Sequence, residues 1–417
     1  TDEHGIKVWK AAKGNDVEKW CDQVSLTFRS LADSLNVDYL HFNRTTSLIH
    51  KTTVESVWKR LRDRGMLTKG IHEGWYSMRE ERFVIEPTEQ QSPDLEFVRE
   101  ENWMFPLGRY IGRVLEYLRC SDVIHPSGRF NDLLPFIEKL QDHLEKDTIS
   151  VSRPVESMRW GIPVPDDPSQ LVYVWLDALV NYIVPGKHPV CHVIGKDILK
   201  FHAIYWPAFL MAAGLEEYLP VKIYVHGHWM CRGEKMSKSV GNIVDPDLLI
   251  QKYGSDALRW YLLRNATFKG DLEFDESQMI TQYNNDLVNG LGNLYARITS
   301  KKLLIDTSNP HISSQIIEDA QAKAVKVREF FDKFDFQSGI LALMEAVGDC
   351  NRWVSESKPW AMQDASIVKN TVISCLQVLI PLLNPIVPKL AKKMTQAIKK
   401  NENARISRLL DPNDPGL

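Results

Sequence analysis

Apolar residues recur three and four positions apart over Val17 to Leu35 and again over Thr52 to Arg64. The spacing predicts two amphipathic helices, the second closed by Gly65. From Lys69 to about Met158 the texture changes. Gly74-Trp75-Tyr76, the acidic Glu80 and Glu81, and a polar stretch from Pro87 to Pro93 are followed by a long helical pattern over Glu101 to Leu118. This region reads as an insertion. Beyond it, Leu171 to Trp175, Val190 to Ile194 and Val221 to His226 are strand-like runs, each followed by helix-forming sequence, an alternation that predicts parallel βα units. Asp245-Pro246 supplies an N-cap and a first-turn proline, Gly254 is placed to close that helix, and Ser255 to cap the next over Asp256 to Arg264. From Asp275 to about Lys400 the periodicity is almost entirely helical, so a separate α-bundle is expected. The chain carries no internal repeat or low-complexity tract.

Composition narrows the possibilities. A chain of 417 residues holds two to four domains on ordinary grounds, and 44% hydrophobic residues suffice for sizeable cores. Formal net charge is only −3, so binding of a polyanion requires a local basic face. No uninterrupted apolar run approaches the ~20 residues of a membrane span. The six cysteines, Cys21, Cys120, Cys191, Cys231, Cys350 and Cys375, include no C-x-x-C pair, which argues against a structural zinc site and fits a reducing compartment. The chain opens on Thr1 with no charged-then-apolar leader, and its start reads as a truncation or an unobserved segment.

Candidate chemistry gathers after the strand-like runs. Lys235-Met236-Ser237-Lys238-Ser239, followed by Val240, Gly241 and Asn242, places two lysines and two hydroxyls on a short loop beyond Val221 to His226. Lysine is a compact point charge able to follow phosphate oxygens, and hydroxyls and backbone N–H groups bind the remainder, so the loop suits pyrophosphate. Alone, it equally describes a solvated basic turn. Gly195-Lys196-Asp197 ends another run and opens a helix, where ligands sit in α/β sheets. Glycine permits close backbone approach and the carboxylate suits a ribose hydroxyl or an amine. Ile198, His202 and Trp206 share one helical face, as do Trp175, Ala178, Leu179 and Tyr182. Core packing would explain either face alone. Together, with Asp2, Asp177 and Asp197 nearby in the pattern, they fit an apolar ligand bearing an amine.

These residues also carry a family resemblance. Thr1-Asp2-Glu3-His4-Gly5, Phe42-Asn43-Arg44-Thr45-Thr46, Gly74-Trp75-Tyr76-Ser77, Glu101-Asn102-Trp103, Trp160-Gly161-Ile162-Pro163-Val164-Pro165, Tyr173 to Tyr182, Ile194 to Trp206 and His226 through Pro246 occur in one order. In this the sequence resembles the class I aminoacyl-tRNA synthetases, and among them the methionyl-tRNA synthetases of bacterial or mitochondrial type. The resemblance spans nearly the whole chain. It implies an α/β fold: a Rossmann-type parallel-sheet catalytic domain (1–68 and 160–232) with a connective insertion (69–159). A lysine-loop and stem-contact region (233–275) and an all-α anticodon-binding helical bundle (276–417) complete it.

The implied reaction is a two-step ligation, in which the methionine carboxylate attacks the α-phosphate of ATP and the terminal adenosine of tRNA(Met) then takes the acyl group. Positioning and electrostatic stabilisation are the expected strategy. By resemblance, Lys235 and Lys238 are catalytic and stabilise the departing pyrophosphate. ATP is held by Gly195, Asp197, His226, Gly227, Lys235, Ser237 and Lys238, with Mg2+ accompanying it. Asp2 binds the methionine ammonium, while Trp175, Ala178, Leu179, Tyr182, Ile198, His202 and Trp206 form the side-chain pocket. Methionine suits such a pocket because its thioether is flexible and polarizable. Leu179 stands where some family members carry proline. Asn293, Arg297, Pro359 and Trp360 match anticodon-contacting positions, and single-stranded bases are read by stacking and edge hydrogen bonds. Lys389, Lys392, Lys393, Lys399, Lys400, Arg405 and Arg408 offer phosphate contacts or a solvated helix face.

The H-x-G-H motif expected of the family does not occur, so the first strand and helix of the nucleotide fold are expected to lie before Thr1. The connections around Val184 to Pro189 and Pro87 to Pro93 also look short for the family. Two other readings stand beside the first: a sister class I enzyme for leucine, isoleucine, valine or cysteine, and a synthetase-derived RNA-binding protein without catalysis. The large editing insertion and the zinc-binding cysteines of the sister enzymes are absent, and the lysine loop argues against the third. A monomer in the mitochondrial matrix is expected, with the cytoplasm of a bacterium as the alternative, no structural zinc and no membrane.

Overall fold

The computed structural model describes residues 1–77, 82–84, 95–142, 148–186, 189–236, 241–267, 270–306, 308–401 and 405–409. It divides into two compact units, Thr1–Ser30 with Asp38–His226, and Leu31–Val37 with Gly227–Leu417. In the first, helices α1 (Ile6–Ala11), α2 (Val17–Ser34) and α3 (Leu48–Asp63) precede the strands β1 (Thr68–Ser77), β2 (Arg82–Val84) and β3 (Leu95–Phe105). Then come α4 (Ile111–Cys120), β4 (Ile124–His125), α5 (Leu134–Asp142), β5 (Ile149–Ser150), β6 (Ser152–Pro154), α6 (Val155–Met158), β7 (Pro163–Val164) and β8 (Asp167–Val172). The unit closes with α7 (Val174–Val180), β9 (Cys191–Gly195), α8 (Trp206–Ala213) and β10 (Lys222–His226).

A parallel sheet of order β4-β10-β9 sets His226 opposite Gly195 at its carboxyl edge. Ile223, Val225 and Ile194 share one face of this sheet and are buried in the unit's core with Trp58, Leu61, Phe105, Ile111, Trp206 and Phe209, whereas Val193 on the other face of β9 is exposed. The stretch expected as an insertion, 69–159, is divided: an antiparallel sheet of order β2-β1-β3-β5 runs in register from Thr68 opposite Met104 to Ser77 opposite Leu95, whereas β4 pairs parallel with β10 and Ile111, Val114 and Leu118 of α4 join the core of that parallel sheet.

Several expectations change here. The helical pattern over Glu101 to Leu118 is split: Glu101 to Phe105 extend β3, and Pro106 separates them from α4. Proline biases its preceding residue toward extended backbone, and alternation along the strand buries Asn102 and Met104. The run Leu171 to Trp175 is strand only to Val172, and that strand pairs antiparallel with β6 and β7 rather than in a parallel βα unit. From Val174 the chain is helical, because the Tyr173 carbonyl accepts the N–H groups of Leu176 and Asp177. A short apolar run does not itself distinguish strand from buried helix. Helix α3 starts at Leu48, four residues before Thr52, with Ser47 as its N-cap accepting from the His50 N–H.

In the second unit, β11 (Trp229–Cys231), β12 (Glu234–Lys235), α9 (Pro246–Tyr253), α10 (Ser255–Asn265) and β13 (Leu272–Glu273) lead into helices. These are α11 (Glu276–Tyr283), a π-helical turn over Asn284–Gly292, α12 (Asn293–Ile298), α13 (Ser314–Asp332), α14 (Phe336–Ser357), α15 (Ser366–Leu383) and α16 (Pro388–Lys400). The Asp245 side chain caps α9 as expected, accepting from the N–H groups of Asp247 and Leu248, and Gly254 ends it at φ 84°. Ser255 does not cap α10. That helix begins at Ser255 itself, after Gly254, and the Ser255 hydroxyl accepts from Asn36 Nδ2 at 3.3 Å instead. Helix α15 is 18 residues long and apolar enough to cross a membrane, although no such run was expected. Val368, Val372, Leu376, Leu379 and Leu383 bury it in the bundle with Leu343, Val347 and Leu390, which explains its composition.

Candidate active site

Seven positions marked by the sequence line one cavity of about 260 Å³: Asp2, Trp175, Ala178, Leu179, Tyr182, Ile198 and His202, joined by Thr1, Thr45 and Asn181. Helix α7 brings Trp175, Ala178 and Leu179 to one side by its 3.6-residue period, and Tyr182 follows in the turn beyond it, its N–H donating to the Leu179 carbonyl. His202 lies in a π-helical turn, Phe201–Tyr205, that runs into α8, a distortion common at functional sites. Its Nδ1 lies 2.9 Å from the Ile198 carbonyl, which only accepts, so Nδ1 carries the hydrogen. Nε2 therefore accepts from the Tyr182 hydroxyl at 2.9 Å. Burial pushes the His202 pKa down to about 4 and that of Tyr182 up to about 12, keeping both neutral near pH 7. Trp175 stacks on Phe201 with centroids 3.6 Å apart. The cavity therefore joins flat aromatic and aliphatic surface to a neutral polar pair, with the Asp2 carboxylate at its border.

Trp206, expected in the pocket, is not among the lining residues. It is fully buried, and its ring lies 6.4 Å from that of Tyr182. One helical face continues past the cavity into the core, so the shared period overreached by one turn. Asp177, near these residues in the sequence pattern, is likewise turned away. It sits on the back of α7, entirely buried, between His4 Nδ1 at 2.6 Å and His50 Nε2 at 2.7 Å.

The segment holding Asp2 is tied down on both flanks. Arg44 Nε and Nη2 donate to the two Glu3 carboxylate oxygens at 2.9 and 3.1 Å, and Thr46 donates to the same group. Burial raises the Glu3 pKa, but the Arg44, Thr1 and Thr46 hydrogen bonds outweigh it and leave the group below its ordinary value. The Glu3 N–H donates to Thr45 Oγ1 at 2.9 Å, and Trp160 Nε1 donates to the Glu3 carbonyl at 2.7 Å. The Phe42-to-Thr46 and Trp160 stretches thus have a structural task in placing Asp2.

Gly195 and Asp197 lie at the carboxyl end of β9, the latter in a single turn, Lys196–Ile198, and His226 ends β10. In the second unit, Gly227 faces the Gly270 carbonyl so closely that a Cβ would stand 2.0 Å from its oxygen, which excludes any larger residue there without rearrangement. Lys235 is exposed on β12. Ser237 and Lys238 lie outside the described residues, as does the Pro87-to-Pro93 connection. The ends of the lysine loop are drawn together by Asn242, whose Nδ2 donates to the carbonyls of Cys231 at 3.2 Å and Lys235 at 3.4 Å. Among the described residues no group of three or more His, Cys, Asp and Glu side chains is arranged to hold a metal ion.

On the helical bundle, Asn293 and Arg297 are one turn apart on α12, and the Arg297 guanidinium lies 5.6 Å from the Trp360 ring centroid. Trp360 is 59% exposed, whereas Pro359 is buried at the start of its turn. Arg297 Nη1 donates to the Asn351 carbonyl at 3.0 Å and Nη2 to Ser355 Oγ at 2.9 Å. Of the basic cluster, Lys389, Lys392, Lys393, Lys399, Lys400, Arg405 and Arg408 are all exposed, and Lys393 Nζ donates to the Arg405 carbonyl at 2.6 Å.

Comparison with known proteins gives the family. Residues 1–96 and 84–299 match the family model of tRNA synthetases class I (M), and residues 313–412 match that of the anticodon-binding domain of tRNA ligase. The mitochondrial methionine–tRNA ligase of Homo sapiens is 33% identical over 97% of this chain and 77% of its own length. The chain belongs to the class I methionine–tRNA ligases. The methionine–tRNA ligase of Rickettsia prowazekii is 35% identical over 97% of the chain and 85% of its own length. The methionyl-tRNA synthetase of Mycobacterium tuberculosis, solved in complex with methionyl-adenylate, superposes with a TM-score of 0.84 at 32% identity, covering 99% of this chain and 89% of that one.

Membership in the methionine–tRNA ligases leaves several residues that sequence reasoning did not mark. His4 and His50 meet at Asp177. Asn351 and Ser355 hold Arg297. His192 stacks on Tyr182 with centroids 3.8 Å apart, and burial together with His202 pushes its pKa down to about 3. Neither His192 ring nitrogen has a hydrogen-bond partner among the described residues. His4 stood inside a quoted motif, but nothing in the spacing paired it with residues on α3 and α7.

Proposed function

We propose that the cavity bordered by Asp2 holds methionine, whose carboxylate attacks ATP; Gly195, Asp197 and His226 of the first unit and the lysine loop of the second are the residues assigned to ATP. The observation carrying this is the convergence of Asp2, Trp175, Ala178, Leu179, Tyr182, Ile198 and His202 on one cavity. Asp2 pairs with the ammonium. The stacked Trp175 and the neutral Tyr182–His202 pair take the thioether, which gains from aromatic contact and needs no ion. A purely apolar pocket separates side chains differing by one methylene by only ~1–3 kcal/mol, so the polar pair sharpens the choice against homocysteine. No side-chain nucleophile is required, because the substrate carboxylate attacks. Lys235 and Lys238 stabilise the leaving pyrophosphate by charge. Magnesium, which prefers substrate phosphates and water to an all-protein cage, arrives with ATP.

The terminal adenosine of tRNA(Met) then takes the acyl group, and the anticodon meets Asn293, Arg297 and Trp360 on the bundle. Phosphates meet the basic face of α16. Relatives of both mitochondrial and bacterial origin match equally well; we place the protein in the mitochondrial matrix, with a bacterial cytoplasm as the alternative, acting as a monomer and away from membranes. Methionine-dependent ATP–pyrophosphate exchange followed by charging of tRNA(Met) tests the reading. Exchange that depends on leucine, isoleucine, valine or cysteine but not on methionine would overturn it.

A further inference from the structure

The His4–Asp177–His50 cluster has no place in the chemistry of methionine activation, yet it is built with care. All three side chains are buried, Asp177 and His50 completely. A carboxylate removed from water is costly unless its oxygens are satisfied, and breaking a buried pair costs far more than the pair contributes. Here each oxygen has one imidazole partner, Oδ2 with His4 Nδ1 at 2.6 Å and Oδ1 with His50 Nε2 at 2.7 Å. Both rings donate, since an ionised carboxylate only accepts. Burial acts to raise the Asp177 pKa, but the two hydrogen bonds overcome it and hold the group below its ordinary value.

The three residues come from three separate segments. His4 stands two residues after Asp2, on the stretch clamped through Glu3 to Arg44. His50 is in the first turn of α3. Asp177 is in α7, about 200° around the helix from Trp175 at ~100° per residue, so it faces away from the cavity that Trp175, Ala178 and Leu179 line. One carboxylate therefore ties the wall carrying Asp2 to the back of the wall carrying the aromatic face, with α3 as the common support.

The geometry points to Asp177 as a positioning residue that, through His4 and His50, fixes the separation between the ammonium anchor at Asp2 and the side-chain pocket on α7. This rests on the methionine reading of the cavity. A ligand held at both anchors feels the separation, whereas a ligand held at one does not. Methionine and 3-(methylthio)propylamine use both, and 4-(methylthio)butanoate, which lacks the amine, uses the pocket alone.

The test measures affinities of the three compounds by calorimetry on the full chain. Asp177→Asn keeps the shape but offers one acceptor oxygen to two N–H donors. It is expected to weaken methionine and the propylamine about tenfold, a loss typical of one charged hydrogen bond, and to leave the butanoate unchanged. His50→Gln retains a donor toward Oδ1 and is expected to keep methionine affinity, while His50→Leu loses it. Equal weakening of all three compounds by Asp177→Asn, or unaltered methionine affinity in both Asp177→Asn and His50→Leu, would overturn the inference. Should Asp177→Asn not fold, the His50→Gln and His50→Leu pair decides the matter with the same compounds. Asp2→Asn and Trp175→Ala separate the two levels: if neither weakens methionine, the pocket reading itself fails. If both do and the Asp177 and His50 variants do not, only the positioning role is lost.

Discussion

Two tryptophans, Trp175 and Trp360, show how differently the two units present the same side chain. Trp175 is stacked face to face on Phe201 at 3.6 Å, beside a tyrosine that donates to His202 Nε2 and a histidine whose Nδ1 donates to the Ile198 carbonyl. Trp360 is 59% exposed and lies under a guanidinium whose donors are held by α14. A small ligand with one flexible apolar side chain is recognised by dry, preformed surface, because each uncompensated polar group would cost more than the ligand returns. Unpaired bases bring their own large faces and edges, so an exposed ring and an oriented cation on rigid helices suffice. The contrast predicts that damage in the first region spreads into folding, while damage in the second stays with the tRNA.

The sharpest break comes at Trp206. It is fully buried behind the cavity rather than lining it. Trp206→Ala should destabilise the first unit by about 3–5 kcal/mol, the ordinary cost of emptying a core aromatic site. A urea or thermal melt checks this. A well-folded variant with only a raised methionine KM would instead return Trp206 to the pocket.

Acid probes the same dryness. The His202 pKa in the fold is about 4, below the ordinary 6.5, so the unfolded chain takes up a proton that the fold refuses. The stability owed to the neutral ring is complete above pH 6.5 and is lost as pH falls from there toward 4, about 2 kcal/mol of it by pH 5. His192, pushed down to about 3, adds in the same direction. Urea midpoints at pH 7 and pH 5 should therefore differ less for His202→Gln than for the parent. An unchanged difference would mean that His202 is hydrated.

How much of this was legible in the sequence follows from the range of each interaction. Trp175, Ala178, Leu179 and Tyr182 were found because one helical period places them together. The role of Asp177, in α7, was not legible because its partners His4 and His50 are 173 and 127 residues away, and no local pattern reports which face of α7 looks at them. The end of strand β3, Glu101 to Phe105, reads as helix because it runs into a true helix, and only pairing with β1 decides the backbone. The helical second unit was easier, since α13 to α16 declare themselves by period alone. Even there the hold of Asn351 and Ser355 on Arg297 crosses more than fifty residues.

Within the cavity, Trp175→Ala should raise the methionine KM roughly ten- to a hundredfold, corresponding to the ~1.5–3 kcal/mol of a buried apolar contact. The KM for tRNA should not move. Pyrophosphate exchange and charging, run side by side, check both halves. A parallel rise in both constants would erase the distinction between the regions.

The mildest change belongs to Trp360→Ala, because an exposed ring contributes little to the fold. Stacking of one base on an aromatic ring is worth about 1–3 kcal/mol, so the KM for tRNA should rise between roughly fivefold and a hundredfold. Exchange should be untouched, since no tRNA takes part, and the melting temperature should stay within about a degree or two of the parent, as for surface substitutions generally. Removing the ring also frees the Arg297 face, but its Nη1 and Nη2 donors remain tied to Asn351 and Ser355. The cation thus stays in place and only the stacking platform is lost. The salt dependence of tRNA binding separates the two contributions. It counts phosphate contacts, which Trp360 does not make, so log KM against log salt should shift upward with its slope unchanged. A lowered slope would show that the ring holds a cation against the backbone rather than stacking on a base.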